Sequence, residues 1–141
     1  MFKSSTKFLV VDDSSTTRKM NRNSLAELGY KNVVEAADGD EAFQVLVELA
    51  KSSEPIEFIV SDWNMPNMPG IDFLKKCRAD AQFKKTPFLF ITVESEPAQI
   101  LEAGTAGVTE YIIKPYNSEV LKMKIENVFC KVNNLPMPVR N

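Results

Sequence analysis

The sequence contains no histidine. A Ser-His or Cys-His nucleophile pair is therefore excluded, and so is any imidazole metal site. Cysteine is scarce as well. Cys77 and Cys130 are too few for a zinc cluster or a dense disulfide framework. Inert, reduced thiols in a cytoplasmic protein are the simplest expectation. No apolar run approaches the roughly 20 residues needed to span a bilayer. Met1–Ser4 leads straight into a polar stretch, with none of the apolar core of a secretion signal. Neither sign of charge dominates: 17 Lys and Arg stand against 19 Asp and Glu, for a net charge of −2. Such a chain has no general attraction to nucleic acid or to anionic lipid.

What is present suits one compact domain of 141 residues, with 44% apolar and 26% charged side chains. Five short apolar runs stand out: Phe8–Val11, Asn32–Ala36, Phe58–Val60, Phe88–Thr92 and Tyr111–Ile113. The first, third, fourth and fifth are nearly continuous in apolar residues, as in parallel strands covered on both faces. Each gap has room for one helix and two short loops. Asp38, with Glu41 three residues on, predicts a capped helix start before Ala42, Phe43, Leu46, Leu49 and Ala50. Asn117 or Ser118 predicts another, before Val120, Leu121, Ile125, Val128, Phe129 and Val132. Pro69 and Pro97 suit first helical turns, and Gly29 suits the end of the first helix. The pattern predicts an α/β fold: (βα)5, one doubly wound parallel five-stranded sheet. A single domain over 1–132 and a flexible tail over 133–141 are expected, because the tail carries two prolines and no helical period.

Open α/β sheets bind ligands beyond the carboxyl ends of their strands, where the strand order reverses. In a 2-1-3-4-5 order that place lies between the first and third strands. Asp12-Asp13 follow the first, Ser61-Asp62 the third, Thr92 ends the fourth, and Lys114-Pro115 follow the fifth. Three converging carboxylates repel in a partly dry site, so at least one pKa should rise. An all-oxygen acidic set suits a hard cation, Mg²⁺ best of all. A lysine charge and a threonine hydroxyl opposite that cation would complete a phosphoryl site. A carboxylate is also a competent nucleophile for an acyl phosphate. Spacing alone leaves open which one. Asp62 is favoured because it leaves Asp12-Asp13 as the metal-holding pair.

At these residues the sequence closely resembles the receiver domains of bacterial two-component signalling. Within them it is most similar to the CheY-like stand-alone chemotaxis response regulators. The resemblance runs from about Lys7 to Lys131. It is carried by Phe8-Leu9-Val10-Val11-Asp12-Asp13, Arg22-Asn23, Glu27-Leu28-Gly29, Ala37-Asp38-Gly39, Ser61–Gly70, Thr92 with Glu94, and Tyr111–Pro115. It implies the flavodoxin-like fold of these regulators, with Asp62 as phosphoacceptor. It implies Mg²⁺ held by Asp13, Asp62 and the backbone carbonyl of Asn64, with Asp12 helping through water. Lys114 would contact the phosphoryl group, and its bond to Pro115 would be cis. Thr92 would bond the phosphoryl oxygen, and Tyr111 would swing inward as a second switch. Asn64 and Glu94 would tune dephosphorylation.

The resemblance also implies partners. The donor would be a histidine kinase of the CheA type. The output surface would be the fourth helix, fifth strand and fifth helix, docking a flagellar motor switch protein, with a phosphatase as a further partner. A monomer is expected, with no catalysis beyond its own phosphorylation and dephosphorylation. No output domain fits in the residues after Lys131.

Several residues depart from the family pattern. Val93 stands where an alanine or glycine is usual and should narrow access to Asp62. Glu96-Pro97 replace two lysines, which admits a phosphate sink or a regulator of a non-flagellar partner. Thr17, Asn21 and Ser24 occupy first-helix positions that are often apolar, suggesting a looser or differently used helix.

Other residues have plainer readings. Arg18, Lys19 and Arg22 read as a solvated basic face, with docking of an acidic kinase domain or phosphatase as the sharper reading. Trp63 reads as a partly exposed loop residue. A flavodoxin-like FMN carrier is the distant alternative on the same strand order. However, Ser14-Ser15-Thr16-Thr17 contains no glycine, and Asp12-Asp13 would repel the FMN phosphate. A phosphatase with an Asp nucleophile usually shows Asp-x-Asp after the first strand, a spacing absent here.

Overall fold

A computed structural model describes residues 1–139; Arg140 and Asn141, the end of the expected tail, lie outside the described residues. Strands and helices alternate without exception. They are β1 (Phe8–Val11), α1 (Ser15–Glu27), β2 (Val33–Ala36), α2 (Gly39–Ala50), β3 (Phe58–Ser61), α3 (Gly70–Ala79), β4 (Phe88–Thr92), α4 (Pro97–Ala106), β5 (Glu110–Ile113) and α5 (Ser118–Val132). The sheet is parallel throughout, in the order β2-β1-β3-β4-β5. The predicted strands thus stand within a residue of their expected ends.

Burial follows position in the sheet. Every residue of β1, β3 and β4 is buried, whereas the edge strands β2 and β5 are only partly covered. Alternate side chains of the central strands feed two cores. Leu9, Val11, Ile59, Phe88 and Phe90 meet Ala42 and Leu46 of α2, Phe73 and Leu74 of α3, and Ala103 of α4. On the other face Phe8, Val10, Phe58, Leu89 and Ile91 meet Leu25 of α1 and Leu121, Ile125 and Val128 of α5.

The helix ends show their signals directly. The amides of Thr17, Glu41 and Val120 donate to the side chains of Ser14, Asp38 and Asn117, each three residues upstream. Of the two candidates before α5, the cap is therefore Asn117. Pro97 opens α4, while Pro69 sits one residue before α3 as its cap. Gly29 follows α1 at φ +95°, a left-handed conformation that glycine adopts without penalty. Among the described residues no helix is long and apolar enough to cross a membrane.

Candidate functional site

β1 and β3 are adjacent and in register, so the residues that follow them leave the sheet side by side. Asp12, Asp13 and Asp62 therefore converge, each offering a carboxylate oxygen within 4.8 Å of the others. Asp12 and Asp62 are buried and Asp13 is exposed. Beside Asp13 lies a cleft of about 480 Å³ lined also by Trp63, Asn64 and Met65. An all-oxygen donor set of this kind, with Asn64 on the same cleft, fits a hard divalent cation.

Each acid is held by its own backbone neighbourhood. The amide of Asp12 continues the sheet ladder onto the Ala36 carbonyl at 3.2 Å. Its Oδ1 accepts from the Ser14 amide at 2.9 Å. The amide of Asp62 donates to the Val11 carbonyl at 3.0 Å, and its Oδ1 accepts from the Trp63 amide at 2.7 Å. Lys114 reaches both acids from β5, with Nζ 3.3 Å from Oδ2 of Asp12 and 3.6 Å from Oδ2 of Asp62. Burial pushes the Asp12 carboxyl above the ordinary carboxylate range and the Asp62 charge adds to this. The Ser14 amide and Lys114 only partly offset them. The expected rise of at least one acid is thus found at Asp12.

The remaining predicted site residues ring this pocket. Thr92 is fully buried at the end of β4, and its Oγ1 accepts from the Glu94 amide at 3.3 Å. Asn64 Nδ2 donates to Oε1 of Glu94 at 2.7 Å. The Tyr111 hydroxyl donates to the Glu94 carbonyl at 2.8 Å. Burial, helped by the nearby charges of Glu94 and Asp62, pushes that phenol up to about 12, so it remains a donor across the physiological range. The Lys114–Pro115 peptide is cis. Val93 is exposed on the rim of a groove of about 400 Å³ shared with Thr17, Met20, Lys114 and Tyr116.

Two expectations need correcting: Trp63 is not partly exposed, and Arg18 does not lie on a solvated face. Trp63 is buried, at 8% exposure, rather than partly exposed, because its ring tucks under the loop against Phe90 with centroids 5.3 Å apart. Of the two readings of the polar first-helix positions, Asn21 fits the differently used helix: it is buried and accepts from the Tyr116 hydroxyl at 2.6 Å. Cys77 is fully buried and its thiol is pushed up to about 12 by that burial, in keeping with an inert side chain.

One supporting residue escaped sequence reasoning. A Cβ on Gly70 would lie 2.1 Å from the carbonyl oxygen of Asp62 and 2.8 Å from the Cα of Trp63. Only glycine lets α3 start so close to the acid. The approach is tertiary, and a glycine after a proline looks like any turn.

The sequence matches the response regulator receiver domain family over residues 8–126. The chain belongs to this family. The chemotaxis protein CheY of Pseudomonas aeruginosa is 46% identical over 90% of this chain and 98% of its own length. CheY-3 of Vibrio cholerae is 46% identical over 87% and 91%. Among solved structures, CheY4 of Vibrio cholerae superposes with a TM-score of 0.75 at 39% identity, covering 88% of this chain and 98% of that one. The receiver fold, the order 2-1-3-4-5 and a role in phosphorylation-activated signalling follow, and the FMN-carrier alternative is not favoured. A receiver is a signalling module rather than an enzyme with a separate substrate.

Proposed function

We propose that Asp62 of this receiver is the phosphoacceptor, charged by phosphohistidine on a CheA-like histidine kinase. The observation that carries this is the convergence of Asp12, Asp13 and Asp62 beneath the ammonium of Lys114. A carboxylate oxygen of Asp62 attacks phosphorus, and the bond from phosphorus to the donor imidazole nitrogen breaks. The electron pair stays on that nitrogen, and the product is an acyl phosphate. Asp13, Asp62 and the Asn64 carbonyl would hold Mg²⁺, with Asp12 helping through water, and the ion would supply charge neutralisation for the phosphoryl oxygens. Lys114 supplies a second positive charge there. Thr92 hydrogen-bonds a phosphoryl oxygen. Asn64 and Glu94 flank the path of the water that later hydrolyses the product, and Val93 narrows the entrance.

The output is binding. Tyr111 links the pocket edge to the α4-β5-α5 face, where Leu101 and Ile113 are exposed apolar side chains. A flagellar switch protein is the proposed partner there, with a phosphatase acting on the charged form. Exposed Glu96 at the start of α4 adds an acidic edge to that face. This edge suits a partner with a basic rim, and it keeps the phosphate-sink or non-flagellar reading open to the same experiment.

The test is incubation with Mg²⁺ and either acetyl phosphate or the phosphorylated kinase, followed by intact-mass measurement. Wild type is expected to gain one phosphoryl group and Asp62→Asn none. Equal labelling of both proteins overturns the assignment. Pull-down of the switch protein with the beryllofluoride-loaded form decides the partner.

A further inference from the structure

Sequence reasoning places Arg18 on a solvated face with Lys19 and Arg22. The structure turns it inward. Its Nη1 donates to the backbone carbonyl of Asp12 at 2.6 Å, and its Nε donates to Oε1 of Glu35 at 3.2 Å. The side chain is only 19% exposed. Glu35 stands on β2 opposite Val10, two residues before Asp12 on the neighbouring strand. Its other oxygen accepts from Arg22 Nη1 at 2.7 Å. One carboxylate on an edge strand therefore holds two guanidiniums of α1, and one of those reaches the main chain of the acidic pocket.

The carbonyl that Arg18 meets belongs to the peptide joining Asp12 to Asp13. That peptide is a rigid plane. Its tilt sets the Cα position of Asp13, and hence the direction of the Asp13 carboxylate relative to that of Asp12. Asp13 is exposed, so core packing does not fix it. The amide of Asp12 is tied to the sheet through Ala36 and its Oδ1 to the Ser14 amide, and Arg18 holds the carbonyl end. A guanidinium donates in two fixed directions at once, which an ammonium does not. With one direction anchored on Glu35, the other defines where the Asp12 carbonyl must point.

We propose that Arg18, oriented by Glu35, is a positioning residue that fixes the Asp12–Asp13 peptide so that both carboxylates serve one magnesium ion. The inference rests on the magnesium reading above. It predicts a sign opposite to plain electrostatics. A guanidinium beside the pocket repels a cation, so removing its charge alone would tighten magnesium binding. Loss of positioning weakens it.

The experiment is calorimetric titration of the whole protein with MgCl₂, with thermal unfolding of the metal-free protein measured alongside. Arg18→Met is expected to weaken magnesium about tenfold, the low end for outer-shell ligands. Arg18→Lys keeps the charge but not the fork, and is expected to recover only part of that loss. Arg22→Met shares Glu35 but touches no pocket backbone, and is expected to bind as wild type does. Unchanged or tighter binding by Arg18→Met overturns the proposal. So does full rescue by Arg18→Lys, or an equal loss in Arg22→Met. A wild type that shows no saturable heat overturns the magnesium reading and this inference with it, an outcome distinct from those of the variants.

Discussion

The hydroxyl of Tyr116 donates to Oδ1 of Asn21 across 2.6 Å, joining α1 to the turn that follows the cis Lys114–Pro115 peptide. Two polar groups 95 residues apart in the chain are thereby satisfied within a largely apolar groove. Removing the Tyr116 hydroxyl leaves the buried Asn21 side chain without this bond, at a cost of about 1–3 kcal/mol. Tyr116→Phe is expected to lower the unfolding free energy by about that amount, and Asn21→Val by less, because the half-buried Tyr116 hydroxyl also meets Ser24. The double variant should recover much of the loss, because it leaves apolar groups in contact. Urea unfolding of the four proteins checks this, and additive losses would show that the bond does not couple the two residues.

Gly70→Ala is expected to be disproportionately harmful for a single methyl. The new Cβ would sit 2.1 Å from the Asp62 carbonyl oxygen, so the loop carrying the acid must shift. Overpacking of this kind costs about 1–3 kcal/mol. The expected signature is a lower melting temperature together with a slower rate of labelling by acetyl phosphate. A variant with normal labelling would mean that the start of α3 gives way instead.

Val93 is 59% exposed on the rim of the groove that contains Lys114. Truncating it is expected to cost little stability and, on the proposed role of Val93, to widen the approach to Asp62. Val93→Ala is expected to label several-fold faster with acetyl phosphate. Equal rates would show that the entrance is not limiting.

Burial raises the Asp12 carboxyl above its ordinary range, even with Lys114 beside it. The native state therefore holds that proton more tightly than the unfolded chain. This contribution to stability is fully present below the unfolded value, near 3.8, and is lost as pH rises through the higher folded value. In metal-free protein Asp12→Asn is expected to raise the melting temperature at neutral pH, with the gain shrinking on acidification. Magnesium should narrow or reverse that difference, because the proposed site binds it more tightly when the Asp12 carboxylate is retained. Melting curves across pH, with and without MgCl₂, test both halves.

Much of this was legible in the sequence, for a physical reason. Residues 8–11, 58–61 and 88–92 are buried on both faces, so their apolar runs are unbroken and the strand ends are easy to place. Once the ends are placed, the crevice rule brings Asp12, Asp13, Asp62 and Lys114 together, as the structure does. What stayed hidden depends on side-chain direction. Trp63 follows an exposed-looking acid and precedes a loop, yet its ring turns down onto Phe90. Arg18 reads like its neighbour Lys19 until Glu35 on another strand turns it inward. Asn21 leaves a looser and a differently used α1 both open until Tyr116 supplies its partner. Each of these is decided by a residue distant in the chain.

Glu94 is grasped twice, its side chain by Asn64 and its main-chain oxygen by the Tyr111 phenol. The proposed switch would therefore have a route from the pocket loop to β5 that bypasses the hydrophobic interior. On that proposal Glu94 alone would stand between the Asn64 loop and the Tyr111 phenol.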